Sequence, residues 1–177
     1  MKNAILSLCL LVLSISLNAQ NKPAPTLKSI LLDQLKTTHN KQEWFVPAIP
    51  ALDGLTADQA MWRHDTTDHS IGQLANHLIF WDNEQLVKFN GGKPVPFNGN
   101  NDETFATFDK DSWASTVKKL DDVLTGWEKA IENADEKKLQ SWYGIIAHIS
   151  THNAYHIGQI LYIRKLQGSW NPDKGVK

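Results

Sequence analysis

Cysteine is almost absent: the chain has one, Cys9, and it lies within the first twenty residues. The surrounding segment, MKNAILSLCLLVLSISLNAQ, has a lone Lys2, a run from Ala4 to Leu17 without a charge, and then small and polar residues to Ala19. A basic start, an apolar core of roughly 7–15 residues and a small residue at the cleavage point make up a secretory signal. Residues 1–19 are therefore expected to be a signal peptide cut after Ala19, and the protein to be exported, periplasmic or secreted. Lipid attachment at Cys9 fits poorly, since Leu8 stands where a small residue is wanted and Cys9 sits inside the apolar core. The expected mature domain, residues 20–177, then contains no cysteine. That excludes a disulfide framework, a thiolate nucleophile and cysteine metal ligands, and leaves imidazole, carboxylate or water to hold any metal.

Other absences narrow the class further. The run at Ala4–Leu17 falls short of the roughly 20 apolar residues of a membrane span, so no stable membrane anchor is expected after cleavage. Neither sign of charge dominates: 18 Lys and Arg stand against 19 Asp and Glu, for a formal net charge of -1. Such a balance gives no electrostatic case for nucleic acid. No stretch alternates apolar and polar residues with period two, and there is no internal repeat or low-complexity tract, so no sheet is expected. About 158 residues follow the signal, enough for one domain with a real core. Seven tryptophans point to a well-packed interior or an aromatic-lined pocket.

Four long helical patterns are present, separated by punctuation. The first is expected from Leu27 to Trp44, ended by Pro47, Pro50 and the LDGLT segment. The second starts at Ser70, a plausible N-cap, and ends at Asn90-Gly91-Gly92 ahead of Pro94 and Pro96. The third starts at Asp111 or Ser112 and carries a sustained apolar face of Trp113, Val117, Leu120, Val123, Leu124, Trp127 and Ile131. Asp135 to Lys138 read as a charged bridge to the fourth, which runs from Leu139 to Leu166 with Gly168 as its stop. The expected fold class is all-α, a four-helix bundle. The short bridge calls for antiparallel neighbours, and the roughly 20-residue crossover between helices two and three allows those two to run parallel, giving an up-down-down-up arrangement.

The segment HISTHNAYHIGQ places His148, His152 and His156 four residues apart. Residues at that spacing lie on one helix face and drift by roughly 40° per step. With His148 at zero, Ile145 and Ile163 fall near about 60°, Ile149 near about 100° and Ile160 near about 120°. The histidines thus share the core-facing side with the isoleucines. Two histidines at i and i+4 can reach one ion, as in helical zinc proteases; the glutamate such proteases carry beside the first histidine is missing here. HxxxH also occurs as plain packing. His77, in IGQLANHLIFWDNE, sits at the flank of the second helix's apolar stripe and completes a facial three-nitrogen set with His152 and His156. That set suits zinc, nickel or another divalent ion, with zinc or nickel foremost. His148 lies about 12 Å along the axis from His156 at roughly 1.5 Å per residue, too far for both to bind one ion readily. His64 and His69 read as loop residues at a possible mouth, and His39 as surface. Gln159 suits either orienting a ligand or an interhelical hydrogen bond. Glu84 could face a pocket, although the surface is the better reading.

SIGQLANHLIFWDNE together with HISTHNAYHIGQILYIRKLQG resembles the DinB-like superfamily, whose members carry a histidine in the second helix and HxxxH followed by GQ in the last. The resemblance covers Leu27 to Gly168. It implies the up-down-down-up bundle and a divalent metal on His77, His152 and His156. Relatives often have arginine after the last histidine, where this chain has Ile157, so that polar contact is expected to be missing. Characterised relatives include transferases and isomerases that use low-molecular-weight thiols, which are scarce outside the cytoplasm. Two functional readings follow. One is a metal-dependent hydrolase or thiol-type transferase acting on a small molecule. The other is a non-catalytic periplasmic bundle that binds a metal or ligand. A homodimer through an exposed helix face fits either; no partner nucleic acid is expected.

Overall fold

A computed structural model describes residues 24–65, 69–105 and 108–176. The expected signal at 1–19, with Cys9, lies outside the described residues. Among those described the chain is all-helical, with no strand. The helices are α1 (Leu27–His39), α2 (Ala48–Leu52), α3 (Ala57–Met61), α4 (Ile71–Phe89), α5 (Trp113–Asn133) and α6 (Glu136–Leu166), with 3-10 turns at Asn101–Thr104 and Pro172–Lys174. Among the described residues no helix is long and apolar enough to cross a membrane.

Helix ends follow local chemistry. Thr26, Thr56 and Ser70 each accept from the backbone N–H three residues on, and Ser29, Gln59 and Gln73 accept in return from the cap. These reciprocal pairs satisfy donors that the first turn leaves open. α1 stops at His39, not at Trp44, because the Asn40 and Lys41 N–H groups both fold back onto the Lys36 carbonyl. Trp44 has the right spacing but no helix to carry it, and it is 93% exposed. Pro47 and Pro50, read as breaks, instead begin the short helix α2; proline is tolerated in a first turn, whose N–H groups have no partner anyway. The charged stretch after Ala134 is likewise no bridge. Asp135 caps the Lys138 N–H and Glu136 opens α6, where acidic groups meet the positive end of the helix dipole. Gly168, at φ +71°, ends it as expected.

The closely packed pairs are α4 with α5, α4 with α6, α1 with α5 and α1 with α6. α5 and α6 are joined by only two residues yet are not among them. Each spends its apolar face on α1 and α4, so the short link turns a corner without setting its helices side by side. The short helices fill in the end: α2 packs on α6, α1 and α5, and α3 on α4. Buried side chains form two groups. One contains Leu35, Phe89, Trp127, Ile131, Leu139 and Ile146. The other contains Leu52, Ile71, Leu78, Leu120, Ile157 and Ile160. Buried indoles keep their N–H satisfied, Trp127 donating to the Asp82 carbonyl at 3.0 Å and Trp113 to that of Leu55 at 3.0 Å. At Gly72 a β-carbon would lie 2.4 Å from the Phe108 ring, so this glycine is required for close approach.

His39 is not at the surface. It is 2% exposed, with Nδ1 2.6 Å from Glu128 Oε1 and Nε2 2.8 Å from Asp121 Oδ1. Those acids are two turns apart on α5 and face the last turn of α1, so the ring is clasped between them. In sequence His39 is one polar residue at a helix end, and nothing local announces the two acids on α5 that hold it.

Candidate metal centre

His77 lies mid-way along α4 and is buried; His152 and His156 lie one turn apart on α6. Their ligand atoms all fall within 4.8 Å of one another. His152 Nε2 is 3.1 Å from His77 Nε2 and 3.1 Å from His156 Nε2.

Hydrogen bonds on the far side of two rings fix their tautomers. The Thr104 hydroxyl donates to the Asn101 carbonyl at 2.6 Å, so toward His77 it can only accept. His77 Nδ1–H therefore donates to Thr104 Oγ1 at 2.5 Å, which leaves Nε2 as a lone pair. His156 Nδ1–H donates to Gln159 Oε1 at 2.6 Å, since an amide oxygen only accepts; its Nε2 is also a lone pair. His152 has at most one Nε2 proton when neutral and faces both. At least one of the two 3.1 Å gaps then sets acceptor against acceptor. A cation among the three nitrogens removes that repulsion, and the donor set of three neutral imidazoles suits zinc, nickel or a related ion.

Electrostatics point the same way. Burial, then the charges of His156, His152 and His69, pushes His77 down to about 3. Burial, then His156, pushes His152 down to about 4. Burial also lowers His156, opposed by its bond to Gln159. All three are neutral near pH 7, the form that ligates.

The triad opens on a cavity of about 860 Å³ walled by Trp81, Phe105, Ile145, Ile149 and Tyr155. The Phe105 ring is stacked between two imidazoles, 3.7 Å from His69 and 4.0 Å from His77 between centroids and nearly parallel to both. Thr104 and Phe105 both come from the long connection between α4 and α5. Its expected role was a crossover; it also closes over His77. The Asn100 side chain caps the turn at Asn101–Thr104, and the Asn98 and Asn100 amides both donate to the Glu103 carboxylate within it. No pattern in the sequence names Thr104 as the partner of His77.

The other expected residues are distributed as follows. His148 is exposed and lines the cavity outside the triad. His69 also lines it, through its stack on Phe105. His64 lies beside Trp62 and a different hollow. Glu84 pairs with Lys88 and does not line the cavity. Ile157, in place of the relatives' arginine, is buried in the core. Sequence reading missed Asp82. It is fully buried beside the cavity, with neither carboxylate oxygen in a well-formed hydrogen bond. Burial pushes its pKa up to about 8, opposed by Asn153 beside it.

The DinB superfamily family model matches residues 48–160, a span that includes all three histidines. No curated protein and no solved structure matches the chain.

Proposed function

The chain belongs to the DinB superfamily, and from that premise we propose that it binds one divalent metal ion through His77, His152 and His156 and acts on a small molecule as a metal-dependent hydrolase or transferase. The observation that carries this reading is the pair of 3.1 Å gaps at His152 Nε2, of which one hydrogen bond can satisfy at most one, so that at least one sets lone pair against lone pair. When bound, such an ion lowers the pKa of coordinated water toward about 7 and polarises an electrophile. The chain's own part is preparation. Thr104 and Gln159 hold two imidazoles in the ligating tautomer, and Phe105 covers the face of His77. Three protein ligands beside an open cavity favour reaction over a purely structural ion, whose site would be closed by a fourth. A non-catalytic binding protein is the alternative, and substrate turnover separates the two.

The same reading extends to architecture and location. We take α1, α4, α5 and α6 as an up-down-down-up bundle. In support, Lys28 reaches Glu132 while His39 reaches Asp121, which sets α1 against α5. Gly72 meets Phe108 just ahead of α5 and Leu86 meets Gly126, which aligns α4 with α5. His77 meets His152 while Phe89 meets Trp142, which opposes α4 and α6. Export to the periplasm or beyond rests on the basic and apolar pattern of residues 1–19.

The test is metal content by mass spectrometry on untagged protein. Near one equivalent of a divalent ion is expected, retained in His148→Ala and lost in His77→Ala and His152→Ala. Absence of metal after reconstitution with several ions, or equal losses in all three variants, sinks the assignment.

A further inference from the structure

The cavity itself limits what can reach the triad. No lysine or arginine lines it among the described residues. Its acidic groups are Asp82, buried in the wall, and Asp102, exposed on the turn at Asn101–Thr104. A second anionic group on a ligand already held at the metal would therefore meet two carboxyl groups and neither lysine nor arginine, so its desolvation would be poorly compensated.

Its walls are aromatic and already held in place. The Trp81 indole N–H donates to Asn101 Oδ1 at 3.3 Å, the Tyr155 hydroxyl accepts from Gln159 Nε2 at 3.3 Å, and the Phe105 ring is fixed between His69 and His77. Ile145 and Ile149 add aliphatic surface. Walls fixed before binding cost little ordering when a flat apolar body enters. The volume lies within the range of small-molecule sites.

We infer that the natural ligand is a small molecule with one metal-binding head and an uncharged aromatic or similarly flat apolar body, and that phosphorylated or multiply carboxylated compounds, including carboxylate-bearing thiols, are excluded. This rests on the metal reading above and adds the chemistry of the substrate body.

Hydroxamates that share one metal-binding head give the test. Zinc-loaded protein of measured metal content is titrated with acetohydroxamate, benzohydroxamate and 4-carboxybenzohydroxamate, followed by calorimetry. Benzohydroxamate is expected to bind about tenfold tighter than acetohydroxamate, as stacking and burial of one ring imply, and tighter than the carboxylated probe. Tyr155→Ala, at an exposed position, should narrow the first gap, and Asp102→Lys should narrow the second, each compared with the parent at matched zinc occupancy. Equal affinities for benzohydroxamate and acetohydroxamate, or a carboxylated probe that binds as tightly as benzohydroxamate, overturn the inference and leave the metal site standing. A protein that takes up neither zinc nor any other divalent ion overturns both.

Discussion

Thr104 has one hydroxyl proton, and Asn101 takes it; the consequence for His77 is a fixed tautomer. Partners that orient a ligating imidazole are commonly worth about 10–100-fold in metal affinity. Thr104→Val, which keeps the shape and loses the acceptor, should weaken zinc binding by about that factor, read by competition with a chromogenic chelator. Asp82 makes a separate prediction. Its folded pKa of about 8 stands above the ordinary carboxylate value of 3.8. The folded state thus holds a proton that the unfolded chain releases, and stability declines as pH rises from about 4 to about 8. Asp82→Asn removes this dependence. Urea unfolding should show the variant gaining on the parent between pH 5 and pH 8, and levelling above that; parallel profiles would count against a protonated Asp82. Neither residue was legible beforehand. Thr104 sits in a connection without periodicity, and Asp82 reads in WDNE as one more residue of a polar face.

Among the elements, legibility followed the strength of local signals. Ser70 marked the start of α4, and Gly168 marked the end of α6, because a cap and a positive-φ glycine act within a few residues. The convergence of His77, His152 and His156 was legible too, since helical spacing put His152 and His156 on the core-facing side of their helix and His77 at the flank of an apolar stripe, where it can point into a groove. The end of α1 was not, because Trp44 mimics the period and only backbone closure at Lys36 decides. Arg164 shows how such ends are tied down. From the last turn of α6 it donates to the carbonyls of Ala51 at 2.7 Å, Asp53 at 3.1 Å and Ser169 at 2.8 Å, joining α2 to the C-terminal segment. Arg164→Met keeps the aliphatic stem and strands those carbonyls. A loss of about 2–4 kcal/mol is expected from bonds to a charged donor, measured by urea denaturation; a loss below about 0.5 kcal/mol would show that water replaces the guanidinium.

For the molecule as a whole, the triad couples folding to acidity. His77 and His152 are held at about 3 and about 4, and His156 is lowered as well, while free imidazole titrates near 6.5. Between those limits the unfolded chain binds more protons, so the stabilising contribution is complete above about pH 6.5 and drains away as pH falls toward 4. Metal-free protein should lose thermal stability across that window. Zinc at about 100 times its dissociation constant should add about 2.7 kcal/mol at neutral pH and much less at pH 5, where protons compete for the same nitrogens. Scanning calorimetry with and without a chelator measures both; a zinc effect equal at the two pH values would place the ion elsewhere. The Thr104–Phe105 corner carries one more consequence. It grips His77 at Nδ1 and over the ring face at once, so this imidazole keeps its place by contacts that owe nothing to an ion. Metal-free protein then meets a returning ion with the ligand already aimed, at little cost in ordering.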